Sequence, residues 1–191
     1  MRSDVTPTTH HAQQRIGALG RRWPAAVGAA AAIAMVLDGG GREGLTTVVL
    51  IAVSCYLAAA VTGRPWMAWA WIVPGSLLVV ASRALDVAPL LVHGAAAVAL
   101  VVVGLVRGAS RPALARQTAG FVGYGLLVVA ALALPPGPGL VLAALALIGH
   151  AGWDVWHLRR HRDEISPSLA EACVVLDVLF GVVTLVLAVV I

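Results

Sequence analysis

The sequence predicts an all-α protein, a polytopic bundle of transmembrane helices, and three observations carry that expectation. Of its 191 residues 60% are hydrophobic and only 12% charged, with a mean hydropathy of +0.93, whereas a soluble chain of this size needs far more polar surface. The apolar residues come in runs near the ~20 residues that cross a hydrocarbon core. The 13 basic residues, all arginine, collect between those runs.

Residues 1–22 are polar and read as a disordered cytoplasmic tail, leaving 23–191 as a single transmembrane domain. The first apolar stretch, Trp23 to Leu37, has the length of a signal-peptide core. No small-x-small cleavage pattern follows it and Asp38-Gly39-Gly40 does, so it reads as a short first span, with six spans as the alternative if it is removed. Further spans read as 45–62, 66–82, 88–106, 118–134, 139–158 and 168–190. Gly63-Arg64-Pro65, Arg107 to Arg116 and Pro135-Pro136-Gly137-Pro138 punctuate them. In the third span Pro74-Gly75 should bend the helix and free the carbonyl near Ala70.

The arginines test the count, because cytoplasmic segments hold the excess of positive charge. With the N-terminus inside, Arg2, Arg15, Arg21, Arg22, Arg64, Arg107, Arg111, Arg116, Arg159, Arg160 and Arg162 are cytoplasmic, and only Arg42 and Arg83 lie outside. The six tryptophans, Trp23, Trp66, Trp69, Trp71, Trp153 and Trp156, all fall at the cytoplasmic interface. Arginine without lysine, with abundant Ala, Gly and Val, suggests a GC-rich bacterial genome, hence a multi-pass protein of the bacterial cytoplasmic (inner) membrane. Absence of lysine excludes a retinal Schiff base and lysine-based covalent catalysis. Cys55 and Cys173 lie within apolar segments and read as small buried hydrophobes.

Against this background the ionisable groups of the last two spans stand out, since each costs roughly 2.5–3.5 kcal/mol to insert. His150, Asp154 and His157 fall within about 60° of one another on one helical stripe. Span seven returns after a short loop, so Asp177 should lie near the depth of His150 and Glu171 near that of Asp154. His150, Asp154 and Asp177 are the candidate catalytic residues; with His157 they are also a candidate set of ligands for a divalent metal. Other readings stand beside these. His150 and Asp177 can simply hydrogen-bond each other, Asp154 can pair with one of the nearby arginines, and His157 can belong to a basic interfacial anchor. Ser168-Leu169-Ala170-Glu171 matches a capping box, which would make Glu171 a helix cap. Secondary candidates are Asp38, Asp86 and His93. The last two are seven residues apart, on one side if helical throughout, and Asp38 would form a transmembrane pair if the bundle brought it to Asp177.

The string H-A-x-W-D-x-x-H from His150 to His157, followed by E-A-C-x-x-x-D from Glu171 to Asp177, resembles a C-terminal signature of uncharacterised small polytopic integral membrane proteins of GC-rich bacteria. That resemblance covers the last third of the chain and implies no activity. Seven spans with embedded His and Asp are also similar to the zinc hydrolases of the ceramidase and adiponectin-receptor type, whose last helix carries an H-x-x-x-H pair missing from span seven here. Membrane desaturases need more histidines than the four outside the tail.

Three function classes follow. The leading one is a membrane-embedded enzyme acting on a lipid or isoprenoid substrate from the inner leaflet, by metal-activated water or by acid–base catalysis. A second is a non-catalytic assembly or accessory protein whose polar cluster fixes packing. A third is a small proton-coupled transporter, although no inverted repeat is evident. The lipid bilayer is the expected partner. Nucleic acid is not, because the pI of about 10.0 arises from topological arginines.

Overall fold

A computed structural model describes residues 22–190, so the predicted tail lies outside the described residues except for Arg22. They form seven helices and no strand: α1 (Trp23–Leu37), α2 (Arg42–Thr62), α3 (Met67–Ala84), α4 (Pro89–Val106), α5 (Arg111–Ala133), α6 (Pro136–Arg160) and α7 (Pro167–Val190). Helices α2 to α7 are each long and apolar enough to cross a membrane. At 15 residues α1 is shorter, about 22 Å against a core of about 30 Å.

The predicted spans differ from the helices mostly by a turn or less. The exception is α5, which begins at Arg111 rather than at 118. Pro112 sits in the first turn, where its fixed φ suits a helix start and its missing N–H costs nothing. The polar stretch Arg111 to Gln117 is thereby wound into the bundle. Pro74 lies within α3, which continues through it from Met67 to Ala84.

Helix α2 is the axis of the bundle. Its most apolar window is 78% buried, against 17–44% for the windows of the other spanning helices. Leu45, Val49, Leu50, Val53, Tyr56 and Leu57 line its length. Around it pack α3, α4, α5 and α6, while α7 packs on α6 and α1 on α7. The α1–α7 crossing depends on Gly28, because a Cβ there would collide with the carbonyl oxygen of Ala172. Small residues of this kind let membrane helices approach closely where lipid offers no hydrophobic drive. Val73, Leu77, Val80, Leu91, Val98, Val102, Val122 and Leu126 are exposed on the outer faces of α3, α4 and α5, an apolar surface suited to lipid rather than water.

Alternation of helix direction puts all six tryptophans at the end that carries the α6–α7 loop. Trp23 and Trp69 lie 5.5 Å apart, Trp153 and Trp156 5.0 Å. At the same end Arg116 grips Glu164 through Nε (3.2 Å) and Nη2 (2.6 Å) and stands 5.7 Å over the ring of Trp156.

Candidate functional site

The chain brings His150, Asp154 and Asp177 together because α6 and α7 are antiparallel neighbours in matched register. His150 lies ten residues before Arg160, where α6 ends, and Asp177 ten residues after Pro167, where α7 starts. Both therefore sit about 15 Å below the loop end of the bundle. Asp154, one turn along α6, and Tyr56, on the axial helix, each lie six residues from their helix ends, at about 9 Å.

The predicted His150–Asp177 bond is present: Nδ1–H of His150 donates to Oδ2 of Asp177 at 2.8 Å. The same Nδ1 lies 3.5 Å from Oδ2 of Asp154. On its other side Asp154 accepts from the Tyr56 hydroxyl through Oδ1. All four residues are buried. The rings of Tyr124 and Tyr56 flank His150 at 5.2 and 5.7 Å. Burial would oblige a purely structural network to satisfy every polar atom. Here His150 Nε2, Asp154 Oδ2 and Asp177 Oδ1 have no hydrogen-bond partner. One ligand atom from each of the three residues falls within 4.8 Å of the other two, so the group can hold a metal ion.

His157 shares the stripe but not the group. Its Nδ1–H donates to Trp153 O at 3.0 Å, and its Nε2 accepts from Gln117 Nε2 at 2.8 Å. Trp156, Trp153 and Tyr56 close around the ring at 4.9, 5.0 and 5.3 Å. It is buried, with both ring nitrogens used, and so is neither a surface anchor nor a free ligand. Asp154 likewise pairs with Tyr56 and His150, not with an arginine.

The expected cap at Glu171 is not made. Helix α7 begins at Pro167, which puts Ser168 inside the first turn, where its Oγ accepts from Trp69 Nε1 at 3.0 Å. Glu171 instead faces Arg22 at 3.5 Å. Asp86 and His93 do not share a helix face, because Asp86 adopts a left-handed φ of 52° ahead of the helix that Pro89 opens. His93 is buried, with Nδ1–H donating to Pro89 O at 3.0 Å, while Asp86 is exposed. Asp38 is exposed where α1 ends, beside a groove it lines with Arg42, Glu43 and Arg83, and does not meet Asp177.

Sequence reasoning missed Tyr56, Gln117 and Tyr124. The available signal was composition: the chain has two tyrosines, both within apolar spans.

A cavity of about 340 Å³ lies between α1, α2, α3 and α7, with Asp177 in its lining. Val27, Ala31, Val48, Ile51, Ile72 and Leu176 give it apolar walls, and both cysteines border it. Comparison of the chain with family models, with curated proteins and with solved structures finds no match.

Proposed function

We propose that this integral membrane protein is an enzyme acting on a lipid or isoprenoid substrate, whose hydrocarbon chain enters the cavity between α1, α2, α3 and α7 and whose polar group meets His150, Asp154 and Asp177. The observation that carries the reading is the cavity. It is apolar along its walls, falls within the size range of ligand sites, and counts among its lining residues Asp177, a buried carboxylate with an unpartnered oxygen. Asp177 Oδ1 is the atom offered to the substrate; Oδ2 stays bonded to His150, and Tyr56 holds Asp154 beside the same imidazole. Such an arrangement moves protons at the reacting group, an effect of typically ~10²–10⁴-fold. The arginine asymmetry supports a bacterial cytoplasmic membrane, with the α6–α7 loop inside and substrate drawn from the inner leaflet. The C-terminal signature supports a place among the small polytopic proteins that it resembles.

The test is turnover by the protein reconstituted in phospholipid vesicles containing polyprenyl phosphate, followed by mass spectrometry, together with photolabelling by a diazirine fatty acid. Asp177→Asn should lower product formation at least ~100-fold, while Asp163→Asn, in the exposed loop, should not. Label should concentrate on the segments 48–55 and 169–177 and be displaced by Ala31→Phe. Equal turnover by Asp177→Asn, or label spread evenly over the outer faces, would overturn the proposal.

The 2.8 Å His150–Asp177 bond also favours a second reading, a non-catalytic accessory protein in which the cluster fixes packing. Under it His150→Ala and Asp177→Asn lower stability non-additively and change nothing at the cavity. The three unpartnered buried atoms weigh against it. A proton-coupled carrier is disfavoured by His157, whose two occupied nitrogens stand between the group and the loop end.

A further inference from the structure

We infer that His150, Asp154 and Asp177 bind one divalent first-row metal ion, with Tyr56 as the residue that positions Asp154. The inference deepens the proposed function and rests on it for the use of the ion, while the binding itself stands on four observations.

The first is spacing. Ligand atoms around a tetrahedral ion at about 2.1 Å lie about 3.4 Å from one another. Nδ1 of His150 stands 2.8 Å from Asp177 Oδ2 and 3.5 Å from Asp154 Oδ2, on either side of that value, so an ion there would take the place of the Nδ1 proton that otherwise bridges to Asp177, releasing that proton on binding. The second is charge. Two buried carboxylates share a single imidazole, an excess of acidic over basic side chains that a divalent cation would offset. The arginine ion pairs among the described residues, Arg22–Glu171 and Arg116–Glu164, lie at the helix ends and leave this group without a cationic side chain other than the imidazole. The third is that Asp154 Oδ2, one of the atoms in that spacing, is fully buried without a hydrogen-bond partner. The fourth is the support around the ligands. Tyr56 donates to Asp154 Oδ1 and leaves Oδ2 turned to the imidazole, the outer hydrogen bond that orients a metal-binding carboxylate.

One imidazole and two carboxylates, without thiolate, select Zn²⁺, Fe²⁺ or Mn²⁺ over a soft ion such as Cu⁺. With three protein ligands, a coordination position remains for water. An ion so placed would supply a Lewis acid beside the cavity that Asp177 helps to line.

The full chain, purified in detergent, is stripped with a chelator and titrated separately with Zn²⁺, Mn²⁺ and Co²⁺, the last read by its visible spectrum. The expected result is about one equivalent bound per chain. His150→Ala and Asp177→Asn should each weaken binding more than ~100-fold, and Tyr56→Phe, which keeps all three ligands, by ~10–100-fold. Asp163→Asn should bind as the unaltered chain does. Should the ligand variants fail to fold, thermal unfolding decides: Zn²⁺ must raise the Tm of the unaltered protein and raise that of Tyr56→Phe less at equal metal. Less than about 0.1 equivalent bound, or unchanged affinity in folded His150→Ala and Asp177→Asn, overturns the inference, as does an equal Tm rise in Tyr56→Phe. Metal binding without photolabel in the cavity would keep the ion and sink the lipid reading; label without metal would do the reverse.

Discussion

His150 and His157 lie two turns apart on one stripe of α6, and both are buried, yet the bundle treats them differently. His157 has a backbone carbonyl on one nitrogen and the Gln117 amide on the other, while aromatic rings fill the space around it. His150 has a carboxylate at hydrogen-bond distance, a second one just beyond, and a nitrogen left over. One histidine is finished by its surroundings and the other is left open. Burial therefore does not distinguish the two histidines; the partners of each ring nitrogen do.

The difference between the two histidines is tested hardest at Asp177. Its change to asparagine keeps size and shape, so helical content by circular dichroism should hold while turnover drops at least ~100-fold. Intact turnover would put His150 in the same class as His157. Next is Gln117→Leu, which strands His157 Nε2 and should cost ~1–3 kcal/mol in unfolding by denaturant, with turnover nearly unchanged. The double change Gln117→Leu with His157→Leu should recover part of that loss, since neither partner is then left unsatisfied. Tyr56→Phe is intermediate in kind. It should lower stability by ~1 kcal/mol and also weaken metal affinity, whereas Gln117→Leu should leave affinity alone. Smallest is Arg116→Ala. Its pair with Glu164 is partly exposed and belongs to the range of ~0–1 kcal/mol, measured as a Tm shift of a few degrees at most.

Much of the open histidine's setting was legible from residues alone. A short loop between two spans equates depths on either side of it, and that placed Asp177 opposite His150. Legibility stopped where a partner came from a helix distant in sequence. Tyr56 is indistinguishable in sequence from the apolar residues of its span, because a hydroxyl on a large ring scarcely alters a hydrophobic run. Gln117 falls just outside the predicted span 118–134, because the polar start of α5 has the composition of a loop, whereas Pro112 opens the helix earlier. The Ser-x-x-Glu pattern at 168–171 failed for a related reason: Pro167 starts α7 one residue before the serine and takes the capping position away. Spacing between Asp86 and His93 assumed continuous helix across a residue that turns left-handed. The cavity had no counterpart in the sequence, since four helices make it jointly.

The contact of Gly28 with Ala172 bears on how the protein is born. Its two helices are separated in the chain by every other described helix. At synthesis rates of about 5–20 residues per second, α1 waits on the order of ten seconds in the bilayer before its neighbour emerges from the ribosome. Until then the wall that α1 supplies has no floor, and His150 has no carboxylate from α7 to meet. The group of His150, Asp154 and Asp177 is thus completed only when α7 has entered the bilayer, and under the proposed function a chain stalled before residue 177 would be without activity however well its earlier helices have packed.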